Sequence, residues 1–285
     1  MTLPTTSTHV TFPAGAVDGS STVLAVLPLP DGRHGVVTEA TPFHPLDHTW
    51  PDQPADTGTL DGRPVLDCVT GAVSPEGEFF LGAEIPVRRG EEDWAWLAVH
   101  VTEEPVAVGA TVELRVDADR RAALCASHTG CHLLALALNA ALASRWRKDP
   151  GRSDALGHPD FDSLAMDSSR MDTAASTDVY RIGKSLRKKG FTADDLAADL
   201  PALTTAVNEQ LAAWVAADAA VRVEAPGPEL TARRRWSCDL PEGPASIFCG
   251  GTHLSHLGQL AALTTELRLS EDGTELTAVT SPKRL

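Results

Sequence analysis

Basic residues are scarce in this 285-residue chain: 24 Lys and Arg stand against 39 Asp and Glu, a formal charge of −15. No global positive field exists to draw in nucleic acid, so any such role has to rest on local patches. Long apolar runs are missing too. The most hydrophobic window, Leu133 to Ala143, is far short of the roughly 20 residues a membrane span needs, and Asn139 interrupts it. The first ten residues carry no Lys or Arg ahead of an apolar stretch, so no secretory or transit signal is expected, and a cytoplasmic location follows. Aromatics make up only 5%, with a single Tyr, and no base-stacking platform is legible. Five cysteines, an odd number at irregular spacing, speak against a disulfide framework and for free thiols or a metal site.

What is present is an ordinary globular balance, 42% hydrophobic and 22% charged, punctuated by 22 Gly and 20 Pro. Charge divides the chain unevenly. Residues 1–120 hold 19 acids and 6 bases, whereas residues 121–285 hold 20 and 18. The first part alternates short β-type runs with turn residues: 21–27, 35–39, 65–69, 78–85, 95–101 and 111–116. That pattern predicts a small antiparallel β-barrel over 1–119. The second part, 120–285, opens on a helical pattern from Arg120 to about Arg147. It continues through a Ser-, Asp-, Gly- and Pro-rich stretch from Asp149 to Val179, long enough to be a functional loop. A helix start at Thr192, an amphipathic helix over 203–220 and strands at 221–224, 233–239 and 265–269 complete the reading. The fold class is therefore α+β.

Two segments carry chemistry. His128 and His132 sit four apart at the head of a helical run, which places both imidazoles on one face. Thr129 and Gly130 between them offer no carboxylate, which separates the pair from the His-Glu-x-x-His of metalloproteases. Cys249 and His253 form a second pair four apart, around Gly250, Gly251 and Thr252. Together the two pairs make a His₂-Cys-His donor set suited to Zn²⁺. The glycines leave backbone amides open to a close-approaching carbonyl or ribose.

The combination of His128-x-x-x-His132 with Cys249-Gly-Gly-Thr-His253 resembles the editing domain of alanyl-tRNA synthetase and its free-standing relatives, the AlaX proteins, themselves related to the threonyl-tRNA synthetase editing domain. Thr41-Pro-Phe-His44-Pro, followed by Gln53 and by Asp56-Thr-Gly58, is similar to the family's Thr-Pro-Phe-Tyr, Gly-Gly-Gln and Asp-x-Gly segment. Arg170-Met-Asp172 matches its Arg-x-Asp element more weakly. The resemblance implies a β-barrel followed by a zinc-bearing editing domain that hydrolyses the ester of misacylated tRNA. It implies zinc on His128, His132, Cys249 and His253, with Thr41, Gln53, Gly250, Gly251 and Thr252 around the substrate. Pro51-Asp52 replaces the family's Gly-Gly before the Gln, and the extra residues 46–50 rebuild the rim, which bears on the amino acid accepted. His44 stands where the family has Tyr and offers a proton-carrying side chain or a polar wall.

The implied partner is an aminoacyl-tRNA, not DNA and not a membrane. Ser- or Gly-tRNA(Ala) is the family's ordinary substrate, and a tRNA bearing a threonine analogue such as fluorothreonine is a variant motivated by the altered rim. Two basic clusters answer the need for phosphate contacts: Arg145, Arg147, Lys148 and Arg152, and then Arg181, Lys184, Arg187, Lys188 and Lys189. Arg233-Arg234-Arg235 alternates along an expected strand. The competing reading is a zinc-dependent hydrolase of small esters or amides that does without tRNA, which the negative net charge favours.

Overall fold

The computed structural model describes residues 3–285. The chain is of mixed α and β structure and divides into two compact units. The first runs to Ala122 and takes in 223–235 and 248–252, and the second comprises 123–222, 236–247 and 253–285.

The first unit holds β1 (His9–Val10), β2 (Asp18–Pro28), β3 (His34–Thr38), β4 (Ala40–Thr41), β5 (Gly58–Leu60), β6 (Arg63–Val65), β7 (Asp67–Val73), β8 (Phe79–Leu81), β9 (Ala95–Thr102) and β10 (Thr111–Val116). Eight of these form one sheet in the order β6-β5-β10-β2-β3-β9-β7-β8, while β1 pairs in parallel with β4. No ladder joins β6 to β8 among the described residues, so the expected barrel is met only as far as one large antiparallel sheet. Strand alternation sends neighbouring residues to opposite faces. Val36 and Ala98 join one core with Leu60, Cys68, Leu114 and Phe43, whereas Val37, Leu97 and Val99 join another. All eight residues of β9 are buried, as expected of a strand covered on both faces.

The Asp-x-Gly element has a physical reason within this sheet. A Cβ on Gly58 would lie 2.1 Å from the Arg115 carbonyl oxygen of β10, so only glycine lets β5 and β10 pair.

The second unit contains α2 (Phe161–Ala165), α3 (Lys184–Lys188), α4 (Leu196–Ala216) and most of α1 (Ala118–Ala141), the long helix on which the chain passes from the first unit. The strands after α1 are β11 (Met166–Met171), β12 (Ser176–Arg181), β13 (Val221–Glu224), β14 (Arg235–Leu240), β15 (Gly243–Phe248), β16 (Leu260–Leu269) and β17 (Glu275–Arg284), in sheets β11-β12-β17-β16 and β13-β14-β15; β13, β14 and β15 each cross a boundary between the units, and the others lie in the second. Gly130 lets α1 approach β16: a Cβ there would stand 2.9 Å from Leu263 Cδ1. From α4, Asn208 clips β16 by both of its amide atoms, donating to Thr265 O and accepting from Thr265 N at 2.8 Å each.

The expected loop over 149–179 instead contains α2, β11 and most of β12. Their inward positions are polar, Ser169, Ser176, Asp178 and Tyr180 all being buried, so the apolar alternation that marks a strand is absent. The helix expected over 203–220 begins earlier, at Leu196, and carries Pro201 inside it, a residue that reads as a break. Among the described residues no helix is long and apolar enough to cross a membrane.

Candidate metal centre

The first two donors stand on α1, where a spacing of four stacks His128 over His132 with ring centroids 4.9 Å apart. His253 joins them, its ring 4.3 Å from His128 and 4.7 Å from His132. With Cys249 they offer four ligand atoms that all lie within 4.8 Å of one another. His128 and His132 are buried, while Cys249 and His253 are partly so. Trp236, fully buried, closes an apolar wall edge-on to His132 at 4.8 Å.

The donors fit a metal on chemical grounds. His132 Nδ1 is buried without a hydrogen-bond partner, a costly state that a cation would relieve. Burial and the neighbouring His128 push the His132 imidazole well below its ordinary range, so the ring stands neutral, as a metal ligand must. Burial also pushes the Cys249 thiol up to about 12, against the opposing pull of the Gly251 amide, so a thiolate there calls for a bound cation. Two nitrogens from one helix plus a nitrogen and a sulfur from one loop form the mixed set typical of zinc.

Nearby groups orient the donors. Thr129 Oγ1 accepts the Leu254 N–H at 3.1 Å and lies 3.3 Å from His253 Nδ1; with the ring proton on Nδ1, the Nε2 lone pair is left for a metal. The Gly251 amide donates to Cys249 Sγ at 3.4 Å rather than standing open. Gly250 is half-buried, and Arg89 Nη1 lies 3.9 Å from where its Cβ would be.

In the first unit, Gln53 and Thr252 bind each other at two points. Gln53 Nε2 donates to Thr252 Oγ1 at 2.9 Å, and the Thr252 N–H donates to Gln53 Oε1 at 3.0 Å. Thr41 is buried and its hydroxyl is engaged. His100 Nδ1 donates to Val36 O at 2.9 Å, which leaves Nε2 to accept from Thr41 Oγ1 at 2.8 Å, and the Phe43 N–H donates to that same hydroxyl. Burial lowers the His100 ring to about 4, so this neutral tautomer persists at any ordinary pH. His44 is buried, donates its backbone N–H to Asp56 Oδ2 at 2.6 Å and meets the edge of Phe12 at 4.9 Å.

Besides His100, sequence reasoning missed Arg121. Wholly buried on α1, it grips both oxygens of Asp56 and donates to Pro42 O at 2.8 Å and Ala16 O at 3.2 Å, pinning the segment that carries Thr41 and His44. A second clamp holds the segment after His44. Arg89 pairs with Asp47 and donates to Leu230 O at 2.9 Å.

The basic clusters fare differently. Arg145 pairs with Asp199, Arg147 with Asp194 at 3.0 Å and Arg152 with Asp160 at 2.8 Å, so the first cluster is largely neutralised. Lys184, Arg187, Lys188 and Lys189 on and just after α3 are exposed, as is Arg181, which pairs with Asp167 at 2.8 Å. Two further side chains stand close to the donors in sequence. Cys131 is turned toward Ser169 and Asp178, and half-exposed His256 lies 2.6 Å from Asp218 Oδ1, outside the donor set.

No protein-family model matches the chain. A stretch of 111 residues is 35% identical to the alanyl-tRNA editing protein AlaX-M of Pyrococcus horikoshii, covering 38% of this chain and 40% of that protein. The chain thus matches about two-fifths of the relative's length. Over that stretch the chain is a relative of an AlaX-type editing protein.

Proposed function

We propose that this protein is a trans-acting deacylase that hydrolyses the ester of misacylated tRNA in the cytoplasm. The observation that carries the reading is the convergence of His128, His132, Cys249 and His253, two motifs 117 to 125 residues apart whose donor atoms lie within 4.8 Å. Residues 120–285 supply all four donors.

An aminoacyl ester is already activated, so the reaction needs a placed water and a stabilised oxyanion rather than a covalent nucleophile. Zinc, when bound, supplies a Lewis acid and lowers the pKa of a coordinated water. The protein's own residues do the rest. Gln53, held rigidly to Thr252, fixes the approach to Gly250 and Gly251. His44, set by Asp56 and Phe12, takes and returns the proton of the attacking water. Thr41, whose hydroxyl is aligned by His100 and Phe43, limits the size of the aminoacyl group. Arg89, tied to Asp47 of the rebuilt rim and lying beside Gly250, shapes the acceptance of Ser, Gly or a threonine analogue such as fluorothreonine. The bases of Arg181 and α3 meet tRNA phosphates.

The test is deacylation of Ser-, Gly-, Ala-, Thr- and fluorothreonyl-tRNA by the zinc-loaded protein beside His132→Ala. Selective turnover that disappears in the variant establishes the activity and names the substrate. Absence of turnover for every member, together with hydrolysis of small esters or amides, would favour the second reading, a zinc hydrolase without tRNA, for which the charge of −15 speaks.

A further inference from the structure

Phe248 is 52% exposed, more than any other Phe, Trp or Tyr among the described residues. It ends β15 and immediately precedes the candidate donor Cys249. Two guanidinium groups lie over it, Arg233 Cζ at 3.7 Å and Arg235 Cζ at 4.7 Å from the ring centroid. Arg234, between them, turns inward, 2% exposed, and donates to Glu229 O at 2.7 Å and Leu230 O at 3.1 Å. Alternation along the chain thus sends the two outer arginines to the same exposed ring and anchors the segment through the middle one. The backbone is fixed as well: the Cys249 N–H donates to Arg234 O at 3.2 Å.

Neither Arg233 nor Arg235 faces a carboxylate among the described residues, although acids outnumber bases 39 to 24 in this chain. Two uncompensated positive charges gathered on a solvent-facing π surface are the combination that takes a flat anionic polymer unit. A nucleobase stacks on an aromatic ring or on a guanidinium plane, and its phosphate meets the charge. An acidic peptide would use the charges and gain nothing from the ring. We infer that Arg233, Phe248 and Arg235 form a stacking platform for the unpaired 3′-terminal nucleotides of an RNA. This rests on the deacylase reading, since those nucleotides adjoin the ester and the platform adjoins Cys249. Because stacking is tolerant of base identity, the platform recognises a single-stranded end rather than a sequence.

The experiment compares two fluorescent RNA hairpins, identical but for a four-nucleotide unpaired 3′ end on one, binding to zinc-loaded wild type, Phe248→Ala, Phe248→Leu, Phe248→Trp and Arg233→Gln/Arg235→Gln. Zinc content by mass spectrometry and the melting temperature are recorded for each, and deacylation of charged tRNA runs in parallel. Wild type is expected to prefer the overhang. Phe248→Ala and Phe248→Leu are expected to lose roughly five- to one-hundred-fold of that affinity, the range of one lost base stack, with zinc content retained. Phe248→Trp should keep the affinity, a rescue that bulk alone would not give, and the double Gln variant should lose both affinity and salt sensitivity. Overhang binding and turnover unchanged in Phe248→Ala would overturn the platform and leave the deacylase standing. A wild type that binds neither RNA and deacylates no tRNA would overturn both.

Discussion

The residues that decide this protein's chemistry are small in number, and most are held by contacts that span long stretches of chain. The four candidate metal donors were legible because each pair keeps a spacing of four, a local signal. His100 and Arg121 were not, because their partners Thr41 and Asp56 lie 59 and 65 residues away and no spacing records a contact of that kind. Gly58 was visible only as part of a motif, and its reason lies in the β5–β10 contact. Gly58→Ala is expected to destabilise by about 3 kcal/mol or more, since the clash is with backbone that cannot step aside, measurable as a drop in the urea midpoint. Asp162 provides a second test. Burial raises its carboxyl to about 7, opposed by the Tyr180 hydroxyl that donates to it at 2.9 Å. Between the unfolded value near 4 and about 7 the folded chain keeps a proton that the unfolded chain gives up, so stability falls as pH rises through this window and levels off above it. Asp162→Asn, which mimics the protonated form, should flatten that slope and gain on the order of 2–4 kcal/mol at pH 8, read from urea denaturation at several pH values.

At the scale of elements, the alternating strands of the first unit follow their apolar pattern, and α1 follows its helical one. The elements missed, α2, β11 and β12, bury Ser169, Asp178 and Tyr180 where pattern reading looks for Val and Leu. Arg121 shows how one helix governs a distant segment: Arg121→Met leaves Asp56 buried without its counter-charge and is expected to cost about 3–5 kcal/mol. Exchanging Asp56 for Asn in the same chain should recover part of that loss, a coupling that a double-mutant cycle by chemical denaturation measures. For α3, replacing Lys184, Arg187, Lys188 and Lys189 by Gln should lower the slope of log affinity against log salt for tRNA by roughly 2–3 while leaving zinc content unchanged.

For the whole molecule, the proposed RNA binding is compatible with the net acidity because of where the bases without acidic partners stand. Most arginines pair with acids, whereas α3 and the Arg233–Phe248–Arg235 cluster keep exposed positive charge. Zinc removal is a whole-molecule test, because a ligand bound only by the folded state stabilises in proportion to its affinity. Chelation is expected to lower the melting temperature by about 5–15 °C in wild type and to change it little in His132→Ala, followed by scanning calorimetry.

The first unit is not continuous in sequence: after Ala122 the chain leaves it for a hundred residues and returns at 223–235 and again at 248–252. During synthesis, then, the large sheet emerges before the segments that complete its unit, and Gln53 waits for Thr252, 199 residues downstream. At a translation rate of about 5–20 residues per second, that partner arrives roughly 10–40 s after Gln53 itself is made. Over that interval the nascent chain carries an unfinished unit on the ribosome, and the segment bearing Cys249 is the last part of that unit to be made.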